Sequence, residues 1–375
     1  MKYIGVMSGT SLDGIDATMV EVPETEILPL PIHVLGHQFI EWDSKLRRDL
    51  LALADGTPFA AQSIVKMSQA VSQAHVAIIL RLLQDTDSHP SDIVAVGMHG
   101  QTVWHEPPQR DHLGYSWQLG SPSWVANRTR ITTVGDFRLS DLALGGHGAP
   151  LAPYAHRLLF YNPSRRVGVL NVGGISNVTL IDPHLSCPPV ASDLGPGNMI
   201  IDALCAYYTD HRQQMDQDGA MASRGHLDRA LLETLLAEPF FHQDPPKSTG
   251  REAFGSHYAA RFLHLPPDDA VTTASWLTVH SIAKGITRLG APDLLYVAGG
   301  GAKNPWILEH LQTALPDVPV KTTEVLGIAV DQVETVAFAL LARAAVHKEA
   351  ANLPTVTGSR GSAILGTVAE VSRET

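Results

Sequence analysis

The chain has 375 residues, long enough for two domains with cores of their own. It is 44% hydrophobic and 17% charged, which excludes a disordered chain. With 27 Lys and Arg against 38 Asp and Glu the net charge is −11, which argues against nucleic-acid or anionic-membrane partners, so any phosphate ligand must rely on local donors and a metal ion.

The first element is a β-hairpin over residues 3–21. An apolar run enters it, and Ile15, Ala17 and Met19 alternate as it leaves. Its turn holds Ser8, Gly9, Thr10, Ser11, Asp13 and Gly14, glycines and hydroxyls that suit either a plain turn or a cradle for a phosphate tail. Residues 32–42 extend the sheet. Asp43 or Ser44 then caps a short helix, and a longer helix over 59–83 carries Ile64, Met67, Val71, Ile78 and Leu82 on one stripe. His75 shares that stripe and reads as a satisfied core histidine. A buried strand over 92–98 runs into His99-Gly100-Gln101-Thr102, either a self-satisfied loop or binding groups at a strand's carboxyl end. A strand at 131–134 completes one α/β half.

The junction holds Asp136-Phe137-Arg138 and a Gly-rich stretch, Gly145 to Pro150, that reads as a hinge or a binding loop. Arg138 suits a carboxylate or phosphate, or a salt bridge to Asp136 or Asp141. A second hairpin over 167–181 repeats the plan of the first, with Gly173 and Gly174 in its turn, which suggests a duplicated fold holding a nucleotide. A strand ending in Ser192-Asp193-Leu-Gly-Pro-Gly-Asn198 precedes a helix, placing Asp193 at a rigid turn as a turn former or a general base. Helices follow at 226–238 and 268–289, around a polar loop with Lys247 and Arg251. The strand 294–298 runs into Gly299-Gly300-Gly301, a turn that brings backbone close to a base or ribose, although a helix entry needs only one glycine. Glu334 lies one turn into the last long helix, and the tail returns to the first domain. Cys187 and Cys205 match no metal or redox motif. There is no signal peptide, no membrane-spanning run and no P-loop, so a cytoplasmic protein is expected.

Taken together and in order, Met7-Ser-Gly-Thr-Ser-Leu-Asp-Gly-Ile-Asp16, His99–Thr102, Asp136–Arg138, Gly148–Leu151, Asn171–Gly174, Asp193–Asn198, Lys247–Glu252 and Gly299–Gly301 resemble the anhydro-N-acetylmuramic acid kinases from end to end. One departure is Leu194, where a smaller residue is expected. The resemblance implies an α/β chain of two RNase H-like domains of the sugar kinase, actin and chaperone-ATPase type around a nucleotide cleft. The boundaries are expected at 1–135 plus 350–375 for the phosphate-loop domain and 136–349 for the domain with the catalytic Asp. The implied reaction uses ATP and Mg²⁺ to phosphorylate 1,6-anhydro-N-acetylmuramic acid while water opens the anhydro ring, in murein recycling. Asp193 and Glu334 are then the catalytic pair, and Arg138, His99, Gln101 and Thr102 bind substrate. Gly9, Thr10, Ser11, Leu12, Asp13, Gly14, Ile15, Asp16, Gly173, Gly174 and Gly299–Gly301 bind ATP, whose phosphates carry the Mg²⁺. A homodimer is implied. The alternatives are an ordinary sugar kinase without ring hydrolysis, and an actin- or chaperone-like ATP-binding regulator.

Overall fold

A computed structural model describes residues 1–372 except Thr10, Ser11, Glu26, Arg110 and Asp111, together with the backbone but not the side chain of Ser256. Two compact units divide the chain: Met1–Leu159 with Glu334–Thr375, and Phe160–Val333.

The first unit is built on β1 (Lys2–Met7), β2 (Gly14–Glu21), β3 (His33–Glu41), β4 (Ile93–His99), the small hairpin β5 (Gln101–Glu106) and β6 (Tyr115–Leu119), and β7 (Thr133–Gly135). The second contains β8 (Val167–Val172), β9 (Ile175–Ile181), β10 (Val190–Pro196), β11 (Leu294–Ala298) and β12 (Val320–Thr322); β13 (Thr367–Ala369) returns to the first. The main sheets run β3-β2-β1-β4-β7-β13 and β10-β9-β8-β11-β12. In each, a three-stranded antiparallel meander is followed by two parallel strands reached through helical crossovers. This repeated 3-2-1-4-5 order is the RNase H-like arrangement, once per half.

The elements form where residue pattern and capping agree. Asp43 accepts from the amides of Lys45 and Leu46 and starts the helix Ser44–Ala54. The helix Ala61–Asp85 buries Met67, Val71, Ile78 and Leu82 against β1, β2 and β4. His75 lies on this stripe with Nδ1 against the Val71 carbonyl at 2.8 Å, a satisfied core residue. In the second unit the helix Pro267–Leu289 packs against β10 and buries Val271, Leu277, Ile282 and Ile286.

The unit boundaries differ from the expected 135/136 and 349/350, for two physical reasons. The Gly145–Pro150 segment is stitched to the tail: His147 donates its amide to the Thr357 carbonyl at 2.8 Å, and Arg360 to that of Leu144 at 3.0 Å. It therefore belongs to the first unit and does not mark the division. The helix Val333–Val346, from Glu334 onward, belongs there too, because it lies directly on the sheet. Gly5 and Gly97 are register partners on β1 and β4. A Cβ on Gly5 would fall inside the Thr335 carbonyl, and one on Gly97 inside that of Phe338. No residue but glycine admits so close a helix. Gly97→Ala is therefore expected to cost about 3 kcal/mol through overpacking, read as a lowered urea midpoint with an unchanged slope.

Candidate active site

Two constellations gather the expected residues, one in each unit. In the first, Gln101 opens β5 and ties down the β1–β2 turn. Its Oε1 accepts from Ser8 Oγ at 2.5 Å and its Nε2 donates to the Gly9 carbonyl at 3.3 Å. Ser8 also donates to the Gly14 carbonyl, and the Gly14 amide donates to Asp13 Oδ1 at 3.0 Å. Leu12 and Ile15 are core residues that anchor the turn, so any part they take in binding runs through backbone. Leu12 has φ +55°, the left-handed geometry a tight turn demands. Asp13 is exposed, and Asp16 lies half-buried on β2 with its carboxylate 3.4 Å from His37. Thr10 and Ser11 lie outside the described residues.

His99, at the end of β4, is fully enclosed. Its Nε2 accepts from Arg138 at 2.9 Å and from the Gln118 amide at 2.8 Å. Burial first, then the Arg138 charge, hold its pKa well below the ordinary histidine value. His99 is thus a neutral acceptor toward Arg138, which stays aimed. Gln118 donates also to Thr102 Oγ1 at 3.1 Å. His99 closes β4, and Gln101 and Thr102 open the β5–β6 hairpin, whose cross-strand pairs sequence patterning did not reveal.

Arg138 makes no salt bridge to Asp136 or Asp141. Its second nitrogen donates to the Gly148 carbonyl at 2.8 Å, and the Glu334 charge favours its protonated form. Burial pushes its pKa down to about 10, which leaves it charged. Glu334 occupies the first turn of its helix, one residue in. The residue as a whole is exposed, yet burial of its carboxyl, then Asp16, push its pKa up while Arg138 pulls it down.

Asp141 is a positioning residue that sequence reading noticed only as a possible partner of Arg138. It is fully buried. Oδ2 accepts from the Gly148 amide at 2.8 Å, and Oδ1 from Asn352 Nδ2 at 2.8 Å and Thr357 Oγ1 at 2.7 Å. The tail thereby fixes the loop whose carbonyl holds Arg138. Asp141→Ala would remove three hydrogen bonds and leave the Gly148 amide without its acceptor, while Asn352 keeps Ser359 and Gly361 and Thr357 keeps the Leu353 carbonyl; it is expected to cost about 3 kcal/mol, measurable by urea titration.

In the second unit, Asp193 lies inside β10 rather than at its end, where the register against β9 shifts between Asp193 and Gly195. The bulge turns the side chain out of the regular alternation. Asp193 Oδ2 accepts from the Thr249 amide at 2.8 Å, and the Asp193 amide donates to the Lys247 carbonyl at 2.9 Å. The 247–252 loop therefore runs along β10 as a short edge partner. Burial raises the Asp193 pKa to about 6, with the Thr249 amide opposing and Glu252 adding to the rise. This carboxylate is poised between its charged and neutral forms near neutral pH. Leu194, the departure from the family pattern, is buried and packs over Gly285 on the far side of the strand.

The glycine turns meet around Asn171, Val172 and Asn198. The Gly173 carbonyl accepts from the Asn198 amide at 2.7 Å, and that of Gly174 from Gly197 at 2.9 Å. Gly299 has φ +82°, and a Cβ there would strike Asn171; one on Gly301 would strike Val172. Packing alone therefore accounts for two glycines of the three. Gly300 is exposed and meets only ordinary contact from Asn198 at 3.5 Å, so its missing side chain serves no packing need. Open backbone at that point is what close approach of a flat ligand requires.

Residues 1–370 match the family model described as anhydro-N-acetylmuramic acid kinase. The chain belongs to the anhydro-N-acetylmuramic acid kinase family. Among curated relatives, the Mannheimia succiniciproducens anhydro-N-acetylmuramic acid kinase is 39% identical over 378 residues, covering 98% of each chain. That of Vibrio vulnificus is 38% identical over 369 residues, covering 97% of each. A solved structure, the activator of 2-hydroxyisocaproyl-CoA dehydratase from Clostridium difficile with bound ADPNP, is a distant likeness. It is 13% identical with a TM-score of 0.46 over 94% of this chain and 99% of that one. Family membership makes this chain a kinase. Among the described residues no helix is long and apolar enough to cross a membrane.

Proposed function

We propose that this chain uses ATP to phosphorylate O6 of 1,6-anhydro-N-acetylmuramic acid while water adds at C1. The products are N-acetylmuramic acid 6-phosphate and ADP, and the pathway served is murein recycling. The observation that carries the reading is Asp193, a carboxylate whose pKa burial raises to about 6 and whose orientation the Thr249 amide fixes.

Opening the internal acetal needs a base for the attacking water on the face opposite the departing oxygen, the arrangement of inverting glycosidases. Asp193 takes a proton from water, the water oxygen bonds to C1, and the C1–O6 bond breaks. O6 leaves with its electron pair and takes the γ-phosphoryl group, so no free alkoxide forms. Arg138, held in plane by His99 and Gly148, suits the lactyl carboxylate or the transferring phosphoryl group. Glu334 positions the sugar or the water, and His99, Gln101 and Thr102 shape the sugar-facing surface.

The β1–β2 turn, Gly9 to Asp16, fits the β- and γ-phosphates through backbone amides and hydroxyls. Gly173, Gly174 and Gly299–Gly301 suit the remainder of the nucleotide. Asp16 and Asp13 both raise the Glu334 pKa, so this surface is rich in carboxylates. A bare triphosphate would be repelled there, which fits a divalent cation. Among the described residues no group of three ligands forms a ready metal site, so Mg²⁺ would be held chiefly by the phosphates, with Asp13 or Asp16 alongside. Bound there it would neutralise charge on the transferring group.

The test is ADP release with Mg-ATP, with and without the anhydro sugar, in ¹⁸O-labelled water, followed by mass analysis of the product. The expected product gains one phosphoryl group and one labelled oxygen at C1. Phosphorylation without the label would make this an ordinary sugar kinase. ADP release that ignores the sugar would point to an ATPase regulator.

A further inference from the structure

On the α-helical side of β10, the second unit has a recess that the proposed chemistry does not use. Lys247, Lys284 and Arg288 converge on it, with Ser192, Ser281 and Gln243 completing its polar wall. No carboxylate lines it, and none of the three cations joins an ion pair among the described residues.

Their existing contacts are all to neutral groups. Lys247 donates to the Phe240 carbonyl at 2.6 Å and lies 4.0 Å over the Phe240 ring. Arg288 reaches the carbonyls of Phe241 and Gln243 only at 3.4 Å. Neutral oxygens and a ring face leave three positive charges uncompensated. Their mutual repulsion shows in the Lys247 pKa, which burial and then Arg288 and Lys284 push down, and in that of Lys284, lowered by burial and Arg288. The serine hydroxyl protons are already given to backbone: Ser192 to the Asp193 carbonyl at 3.0 Å, Ser281 to that of Thr278 at 2.9 Å. Recognition therefore falls to the cations. The whole recess with its open mouth is about 280 Å³. A compact oxyanion seated at the mouth suits that shape better than an enclosed organic ligand.

We propose that this recess binds a phosphate-type dianion, inorganic phosphate or a phosphate monoester. A tetrahedral oxyanion offers three oxygens to three donors set around one opening, and it replaces like-charge repulsion with charge-assisted hydrogen bonds. The site touches the catalytic strand from behind. The Lys247 amide donates to Ser192 Oγ at 3.1 Å, and the Lys247 carbonyl accepts from the Asp193 amide. Drawing the Lys247 side chain toward an anion pulls on the backbone that borders Asp193.

The experiment titrates the full chain with sodium phosphate at constant ionic strength, with sodium chloride as control, and follows binding by calorimetry and by thermal shift. A parallel arm uses N-acetylmuramic acid 6-phosphate. Lys284→Gln with Arg288→Gln, one turn apart on the helix Pro267–Leu289, is expected to weaken phosphate binding at least about tenfold, the loss of roughly one charge-assisted contact. Should the double variant fold poorly, Arg288→Gln alone serves, since that side chain is exposed. Tighter binding of the sugar phosphate, equally lost in the variant, assigns the site to a monoester; equal binding assigns it to the free ion. Identical phosphate affinity in wild type and variant, or no phosphate response beyond that of chloride, overturns the proposal. Neither result depends on which reaction the enzyme catalyses.

Discussion

Asp193→Asn is expected to lower turnover about 10³-fold, within the range general-base catalysis supplies, while the fold survives. Asn keeps the shape of the side chain and can still accept from the Thr249 amide, which wild-type Oδ2 meets at 2.8 Å. What it cannot do is take a proton. With Asp193 as the proposed base the active form is the carboxylate, so the rate should fall as pH drops through about 6, the value to which burial raises this group. The residual rate of the variant should lack that limb. Stability should move the other way. A raised carboxyl pKa means that the fold disfavours the charge: no cost exists below the ordinary aspartate range, and it grows as pH rises toward 6 and then stays. Asn removes it, so at neutral pH the variant should melt at the same temperature as wild type or a few degrees higher. Near-wild-type turnover, measured as sugar-dependent ADP release, would sink the assignment of Asp193 as base.

Arg138→Lys is expected to cost about 10²-fold in kcat/KM, the penalty of a reacting group misplaced by about 1 Å. The guanidinium spans two fixed acceptors, His99 Nε2 at 2.9 Å and the Gly148 carbonyl at 2.8 Å. An ammonium is a point donor on a flexible stem and cannot hold both while presenting a flat edge to an anion. The positive charge that faces Glu334 is retained, so a simple loss of charge would not explain the defect. Steady-state kinetics with varied sugar decide the matter: a kcat/KM within threefold of wild type would mean that charge alone matters at this position.

Much of this was legible in the sequence, because its strongest signals are local. The two hairpins, the strand at 294–298 and the helix at 268–289 follow from periodicity and from glycine at the turns. The motif set gave the family, since eight short patterns in one order leave little room for coincidence. What escaped was long-range. Nothing near Gly145 says that its loop is bound to residues 352–361, so a glycine-rich stretch reads as a hinge or a binding loop. Nothing in residues 334–349 shows that their helix is pressed onto Gly5 and Gly97, more than 230 positions away in sequence, so the helix was assigned to the wrong half. Asp193 looked like a turn residue because Gly-Pro-Gly follows it; the register slip that keeps it within β10 depends on pairing with β9. Asp141 drew notice only as a neighbour of Arg138, because two of its three partners, Asn352 and Thr357, come from the distant tail.

The discontinuous first unit has a consequence for synthesis. As the chain emerges from a ribosome, residues 160–333 arrive as one uninterrupted stretch, so the second unit can finish folding from its own segment. The first unit begins earlier and ends later. Until the last forty or so residues are made, β7 lacks its partner β13 at Thr367–Ala369, Asp141 lacks Asn352 and Thr357, and Gly5 and Gly97 face no helix. The half made first must therefore wait as an open sheet edge and an uncovered sheet face, the surface most in need of a chaperone while translation runs.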